Sequence, residues 1–320
     1  MKTRNFLFCL CMIGIAFYSC DPNGGVNNNS GNYWERSALA RQNIKGKVKT
    51  ITTNSGNTVT SFNESGFITT VVSSSTNYSS TSTCIYNANG QLTQLVAISS
   101  ETGSASTTNT ITYEYNNVGK YIVTYPMHVY MSGLTPALSS MVQVSSTSTY
   151  RMDYVFKNAT TMLIISTNTY NSQTSKDTTT IQYSGNYPTG WAKNNMFAKD
   201  ITYAANGMFK TYTEGFAGAT YNDPRVYTFK TNNDFLMIDN VVENYVDTAT
   251  PANNRTSTET FTYNEQNDIT QDNRDGNITE YFGYVYDSHN NWTSRTMRYQ
   301  SSGTTTWNTN EPETRVITYW

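Results

Sequence analysis

The sequence predicts an all-β fold. It should be one long antiparallel meander of repeated β-hairpins, in a twisted and curled sheet that follows a short N-terminal helix at 34–42. Three observations lead to this prediction. A seven-residue pattern recurs seven times, aromatic residues alternate with polar ones, and charged residues make up only 14% of the chain while Thr, Ser, Asn and Tyr supply the polarity. Seven hairpins imply at least about 14 strands, and open sheets of that size curl or split.

The repeated pattern has an aromatic residue at position 1, Gly or Asn at position 5 and an apolar residue at position 7. Written as the residues at positions 1, 5 and 7, the instances are Phe62/Gly66/Ile68, Tyr86/Gly90/Leu92, Tyr115/Gly119/Tyr121, Tyr203/Gly207/Phe209, Phe229/Asn233/Phe235, Tyr263/Asn267/Ile269 and Tyr286/Asn290/Trp292. They begin 23 to 34 residues apart, except for a gap of 88 residues after Tyr115 that holds weaker matches at Phe156 and Tyr183. Such a period is typical of repeat architectures.

One hairpin geometry explains the pattern. A three-residue loop made of a type I turn and one left-handed residue places Gly90 at positive φ, a conformation that Gly enters freely and Asn tolerates. Tyr86 and Leu92 then become direct cross-strand neighbours on one face of the sheet. The predicted left-handed turn residues are Gly66, Gly90, Gly119, Gly207, Asn233, Asn267 and Asn290.

Aromatic residues at every second position predict strands with one buried aromatic face and one solvated polar face. This alternation places Phe282, Tyr284 and Tyr286 on the same face. The aromatic face is expected to form the core, whereas an exposed row of aromatic rings would stack on sugars. The candidates for that second role are Trp191, Trp292 and Trp307. Three lysines at 45–49 also predict that the first strand is an edge strand.

The first residues have the features of an export signal. Lys2 and Arg4 precede an apolar run at 6–17, which has the length of a signal-peptide core and is too short to span a bilayer. The Asn- and Gly-rich stretch after Cys20 predicts a flexible tether. The predicted divisions are a lipoprotein signal peptide at 1–19, a tether at 20–33 and an antiparallel β-repeat domain at 34–320. An ordinary signal peptide cut near Cys20 is the alternative.

Ser19-Cys20 resembles the lipobox of bacterial lipoproteins, although Phe17 and Tyr18 replace the usual aliphatic and small residues. The resemblance implies that Cys20 is lipidated and becomes the mature N-terminus. The protein would then be held by its N-terminal lipid in the Gram-negative cell envelope, at the outer membrane.

The stretches 86–93 and 286–293 resemble the Tyr-Asp (YD) repeats of the RHS family. That pattern is aromatic, Asn or acidic, two variable residues, Gly, one variable residue, apolar and Thr. The family implies hairpins strung into a spiralling antiparallel sheet. The units here are fewer and less evenly spaced than in family arrays, and the chain is similar to small envelope lipoproteins with YD-like repeats.

The sequence shows no catalytic constellation. The two histidines, His128 and His289, lack partners at the spacing of a metal site or a triad. Cys84 is expected to be a small buried hydrophobe. The stretch 272–277 looks like a calcium loop but lacks acidic residues at the first and last ligand positions, which favours a tight turn. No cofactor and no metal are therefore expected.

The predicted function is a non-enzymatic envelope lipoprotein with a structural or binding role, whose partner is a glycan or an envelope protein. Without Lys2 and Arg4, 19 basic residues stand against 23 acidic ones, and this net charge of −4 argues against nucleic acid as a partner. One alternative is a glycan hydrolase with an unrecognised pair of carboxylates. The pairs considered are Asp239 with Glu243 and Asp272 with Asp275. The other alternative is a periplasmic lipid or lipoprotein carrier with an open apolar face.

Two short stretches resemble the acceptor motif of periplasmic O-glycosylation systems. They are Asp177-Thr178-Thr179 and Asp247-Thr248-Ala249, both in polar stretches that suggest loops. The candidate acceptors are Thr178 and Thr248.

Overall fold

The computed structural model describes residues 38–53, 57–116, 119–123, 134–136, 138–205, 207–218, 221–229 and 238–320. The predicted all-β meander is confirmed, because almost all of these residues lie in antiparallel strands. The helical part comprises helix α1 at Ala38–Arg41 and a 3₁₀ turn at Pro251–Asn253.

The strands of the first half are β1 Val48–Thr53, β2 Thr58–Phe62, β3 Ile68–Ser75, β4 Tyr78–Tyr86, β5 Leu92–Glu101, β6 Thr107–Tyr115, β7 Tyr121–Val123, β8 Leu134–Pro136, β9 Leu138–Val144, β10 Ser148–Asn158 and β11 Thr161–Tyr170. Those of the second half are β12 Gln173–Ser184, β13 Tyr187–Lys193, β14 Met196–Tyr203, β15 Phe209–Phe216, β16 Tyr221–Phe229, β17 Ile238–Asp247, β18 Arg255–Tyr263, β19 Ile269–Arg274, β20 Asn277–Tyr286, β21 Trp292–Gln300, β22 Asn308–Thr309 and β23 Glu313–Tyr319.

Successive strands pair antiparallel along the chain. The short β7–β8 hairpin forms a sheet of its own. The strands on either side of it in sequence, β6 and β9, pair directly with each other. Strand β21 pairs with β23, and β23 pairs with β1. Among the described strands, the last one, β23, therefore pairs with the first one, β1.

The prediction that the first strand is an edge is wrong, since β1 pairs with β2 on one side and β23 on the other. Of the three lysines, Lys45 and Lys47 precede the strand and only Lys49 lies within it. Lys49 is exposed and its Nζ lies 4.8 Å from the ring centroid of Trp320. The lysines therefore mark where the chain enters the sheet, not an unpaired edge.

Five of the seven predicted cross-strand pairs are confirmed as direct partners. They are Phe62 with Ile68, Tyr86 with Leu92, Tyr203 with Phe209, Tyr263 with Ile269, and Tyr286 with Trp292. The other two are wrong: Tyr115 pairs with Leu138 because the β7–β8 hairpin is inserted after it, and Phe229 pairs with Ile238 across a longer connection. The weak match at Phe156 does form a hairpin, with Met162 opposite.

The turn residues have the backbone conformation that the hairpin requires. The φ angles are +80° at Gly66, +74° at Gly90, +67° at Gly119, +84° at Gly207, +69° at Asn267 and +59° at Asn290. Asn233 lies outside the described residues. Because the chain reverses direction after each strand, all of these turns lie at the same end of the sheet, which we call the repeat end.

A tyrosine hydroxyl links each of several repeats to the repeat before it. At position 1 the hydroxyl donates to a backbone carbonyl on the second strand of the previous hairpin. The O···O distances are 2.7 Å from Tyr86 to Ile68, from Tyr115 to Leu92, from Tyr203 to Pro188 and from Tyr263 to Ile238. Successive hairpins are therefore held by side-chain bonds as well as by the backbone ladder.

One further hairpin joins the first and last described segments, and we call it the closing hairpin (residues 46–48 with 319–320). Gly46 has a φ of +82°, and Val48 is the direct partner of Tyr319. The amide of Trp320 donates to the Lys47 carbonyl at 3.0 Å. These are the features of positions 5, 7 and 1 of the repeat, assembled from two distant stretches of chain.

The core lies on the face that carries the aromatic and apolar repeat residues, which we call the inner face. Fully buried members include Leu39 of α1 and Ile111, Met152 and Ile181 of the sheet. Cys84 is also buried, as expected, and burial raises its pKa to about 11. The thiol is therefore held in its neutral form, which suits a packing role.

Phe282 does not share a face with Tyr284 and Tyr286. The pairing of β20 with β21 shifts register between Phe282 and Val285, and Gly283 within that shift has a φ of +64°. The bulge turns Phe282 to the outer face, where 41% of it is exposed.

Candidate functional site

The inner face changes character along the sheet. The buried apolar residues of the described chain run from Ala38 to Tyr212, and none of them comes from β17–β23. In β19, β21 and β23 the inner-face side chains are only partly buried, and many are charged or aromatic. Water therefore reaches this part of the inner face.

Strand periodicity places the charged groups there. Glu313 and Arg315 alternate with exposed residues and share a face with Ile317 and Tyr319, which pack on the core. Arg295 is the direct cross-strand partner of Glu313, and its Nε donates to the Glu313 carboxylate at 2.7 Å. We call Tyr281, Tyr284, Trp292, Arg295, Glu313 and Arg315 the polar inner patch.

Aromatic rings hold the guanidinium groups of the patch. The Cζ of Arg295 lies 4.4 Å from the ring centroid of Tyr281 and 4.5 Å from that of Trp292, and the Cζ of Arg315 lies 3.8 Å from Trp292. Arg295 is also hydrogen-bonded to the Tyr284 hydroxyl. Cation–π contacts of this kind fix the plane of a guanidinium group.

Two carboxyl groups meet beside the patch, on β18 and β19. Glu259 and Asp272 are hydrogen-bonded to each other, and burial raises the pKa of both. These two groups interact with each other directly, whereas glycosidase carboxyls stand about 5–9.5 Å apart on either side of the scissile bond. This pair therefore lacks the spacing of a glycosidase.

The carboxylate pairs considered from the sequence are not brought together as sites. Glu243 forms an ion pair with Arg274, at 2.6 Å, while Asp239 is exposed. Asp275 lies in the two-residue turn between β19 and β20 and accepts a bond from the Thr258 amide. The stretch 272–277 is thus a tight turn, as expected.

The three candidate tryptophans have different surroundings. Trp191 is 5% exposed and belongs to the core, so it is not available for stacking on a sugar. Trp292 lies in the polar inner patch, with both arginines over its ring. Trp307 is partly exposed on the other side of the sheet, where Arg298 lies 4.3 Å from its ring centroid.

The other predicted positions lie apart from the patch. Thr178 is exposed, but it lies within β12 and not in a loop, while Thr248 is exposed in the bend after β17. Cys20 and His128 lie outside the described residues. His289 is exposed in a repeat turn and stacks on Tyr319, with centroids 4.0 Å apart.

The described residues contain no group of three or more His, Cys, Asp or Glu arranged to hold a metal ion. Within the same residues, no helix has the length and apolar character that a membrane crossing requires.

Sequence reasoning missed Arg295, Glu313 and Arg315. The signal was the alternation in β23, where charged residues occupy the positions that apolar residues occupy elsewhere on the inner face. The partners of Arg315 are supplied by β21, and that pairing follows from the return of the sheet to its first strand, which the sequence pattern does not reveal.

Comparisons with known proteins give no family. No family model matches the chain, and no curated protein matches it. Among solved structures, a porin-like protein from Bacteroides uniformis aligns over 86% of this chain and 98% of its own length, with 14% identity and a TM-score of 0.36. A likeness at that TM-score carries no argument about this protein.

Proposed function

We propose that this protein is a non-catalytic lipoprotein of the Gram-negative envelope that binds a glycan through the polar inner patch. The observation that carries the proposal is a row of partly exposed aromatic and charged side chains on the face that is otherwise an apolar core. Charged groups on such a face carry a desolvation cost, and apolar residues would serve a purely structural role better. Aromatic rings with planar, orienting polar groups are suited to sugars.

The alternatives have less support. For a hydrolase, the adjoining carboxyls Glu259 and Asp272 interact with each other directly, whereas a glycosidase holds its two carboxyls apart around the substrate. For a lipid carrier, the apolar inner residues of β1–β15 form one buried cluster and so leave no open apolar face in that part of the sheet.

Membrane attachment rests on the N-terminal sequence. Replacing Cys20 with Ser should abolish labelling of the protein by a radioactive fatty acid, because the acylated residue would be absent. Equal fatty-acid labelling of the C20S and wild-type proteins would contradict lipidation at Cys20.

Glycan binding is tested with full-length protein in detergent on an array of envelope and host glycans. The change is Trp292→Ala, and the matched control is Trp307→Ala, which removes the same ring from beside an arginine outside the patch. We expect Trp292→Ala to lower affinity about 10-fold or more, because it removes the support of two guanidinium groups. The control should bind like the wild type.

Two results would contradict the proposal. One is wild-type protein that binds no glycan on the array, and the other is an equal loss of glycan affinity in both tryptophan variants. Should Trp292→Ala shift the urea midpoint strongly, Glu313→Gln provides a second test, since it removes only the carboxylate that orients Arg295.

A further inference from the structure

Arg295 and Arg315 share the ring of Trp292 but differ in their counter-charges. Arg295 forms an ion pair with Glu313, with 2.7 Å between Nε and Oε2. Among the described residues, no carboxylate oxygen lies within 4.0 Å of the Arg315 guanidinium. Its Nε donates to the Trp292 carbonyl, and within the described part of the chain the N–H groups on both Nη atoms remain as donors.

Arg315 is also partly withdrawn from water. Burial lowers its pKa to about 10, so the group is still a cation at neutral pH. A half-buried cation without an adjoining carboxylate has lost hydration that the Trp292 carbonyl and ring replace only in part. An oxyanion placed on the free N–H groups would replace it through charge-assisted, bidentate hydrogen bonds.

Two acidic groups that raise the pKa of Arg315, Asp268 and Asp287, are hydrogen-bonded to other residues. Asp287 accepts bonds from the Tyr319 hydroxyl and from the backbone amides of His289 and Asn291. Asp268 is hydrogen-bonded to the Tyr286 hydroxyl, and burial raises its pKa. Both carboxylates act on Arg315 at longer range. They raise its pKa through charge attraction, but they do not accept hydrogen bonds from its N–H groups.

The outer face offers a contrast. Arg298 lies 4.3 Å from the ring of Trp307, much as Arg315 lies over Trp292, but its guanidinium is 2.6 Å from the Glu280 carboxylate. The same stacking thus occurs with a counter-ion on the outer face and without one on the inner face. Stacking alone therefore does not explain why Arg315 lacks an adjoining carboxylate.

We infer that the glycan bound by the polar inner patch is acidic, and that Arg315 binds its carboxylate or sulfate group. The inference rests on the proposed function and adds the chemical class of the ligand. The rings of Tyr284 and Tyr286 are stacked on the same face, with centroids 5.7 Å apart, and an aromatic surface of this kind suits the face of a sugar ring.

The test uses full-length protein in detergent and isothermal titration calorimetry with three probes of similar size. The probes are trigalacturonate for the carboxylate, a heparin-derived sulfated oligosaccharide for the sulfate, and maltotriose as the neutral sugar. We expect at least one acidic probe to bind more tightly than maltotriose, and its affinity to fall as salt is added.

Three variants test whether Arg315 binds the anionic group of the probe. Arg315→Gln should weaken binding of the acidic probe about 10- to 100-fold, as expected for loss of charge-assisted hydrogen bonds. Asp268→Asn should strengthen it, because a competing negative charge is removed. Arg298→Gln, the matched change on the outer face, should leave it unchanged.

The outcomes separate this inference from the proposed function. Equal binding of maltotriose and the acidic probes, or no effect of Arg315→Gln, would overturn the inference and leave glycan binding standing. Failure of all three probes would overturn the inference, and the glycan array then decides the proposed function separately. A tri-glutamate peptide, titrated as a fourth probe, presents carboxylates without a sugar, and tighter binding of this peptide than of either acidic sugar would also overturn the inference. If Arg315→Gln does not fold, the opposite-sign result expected for Asp268→Asn still decides.

Discussion

Position 5 of the repeat has a backbone conformation that few residues adopt without strain. Gly90 has a φ of +74°, and the equivalent Asn267 has a φ of +69°. Position 2 stabilises the same loop. The Oδ1 of Asn87 accepts bonds from the amides of Asn89 and Gln91, each at 3.0 Å. The sequence preferences of the repeat are thus those of a single turn.

Replacing Gly90 with Val should lower the free energy of unfolding by about 1–3 kcal/mol, since a β-branched residue is strained at positive φ. Gly90→Asn is the matched control and should cost much less, because Asn267 and Asn290 adopt positive φ at the same position of their repeats. Urea denaturation measures both. An unchanged midpoint for Gly90→Val would count against the turn assignment.

At the scale of the hairpin, the preference for Tyr at position 1 has two causes. The ring packs on the inner face, and the hydroxyl reaches a carbonyl of the previous hairpin, as from Tyr86 to Ile68 at 2.7 Å. Where Phe stands at position 1, as in Phe62, packing alone remains. The hydroxyl therefore orders neighbouring hairpins relative to one another.

Tyr86→Phe should destabilise the protein by about 1–2 kcal/mol, because it leaves a partly buried carbonyl without its donor. Tyr170→Phe is the control, since Tyr170 is 54% exposed and lies at the far end of β11. Equal urea midpoints for the two variants would show that the hydroxyl bond contributes nothing to stability.

At the scale of the whole molecule, the closing hairpin joins segments that are far apart in sequence, and Asn291 holds them together. This residue is 2% exposed. Its side chain accepts from the Lys45 amide and donates to the Lys45 carbonyl and the Tyr319 hydroxyl, each at 2.8 Å. One amide group thus connects a repeat turn to Lys45, which directly precedes the closing hairpin, and to Tyr319 within it.

Asn291→Ala should lower the free energy of unfolding by about 2–3 kcal/mol through loss of these buried bonds. Gln91 occupies the same position of another repeat, away from the closing hairpin, and Gln91→Ala should cost less than about 1 kcal/mol. Hydrogen exchange on β1 and β23 should increase in Asn291→Ala alone. Equal effects of the two substitutions would contradict the special role of Asn291.

The sequence by itself determined the hairpin unit, because turn conformation and cross-strand pairing depend on residues within seven positions of one another. Gly90, Tyr86 and Leu92 therefore lie as predicted. The predicted partners of Tyr115 and Phe229 are wrong, because additional residues separate the two paired strands there. A single bulge at Gly283 was enough to turn Phe282 to the other face.

Only the tertiary structure decided which strand meets β1 and which charges meet on the inner face. Arg315 reaches Trp292, and Val48 reaches Tyr319, through pairings between strands that no local pattern specifies. Local patterns fix local geometry through sterics and short-range hydrogen bonds. The polar inner patch depends instead on the order in which many strands assemble, and this is a property of the complete sheet.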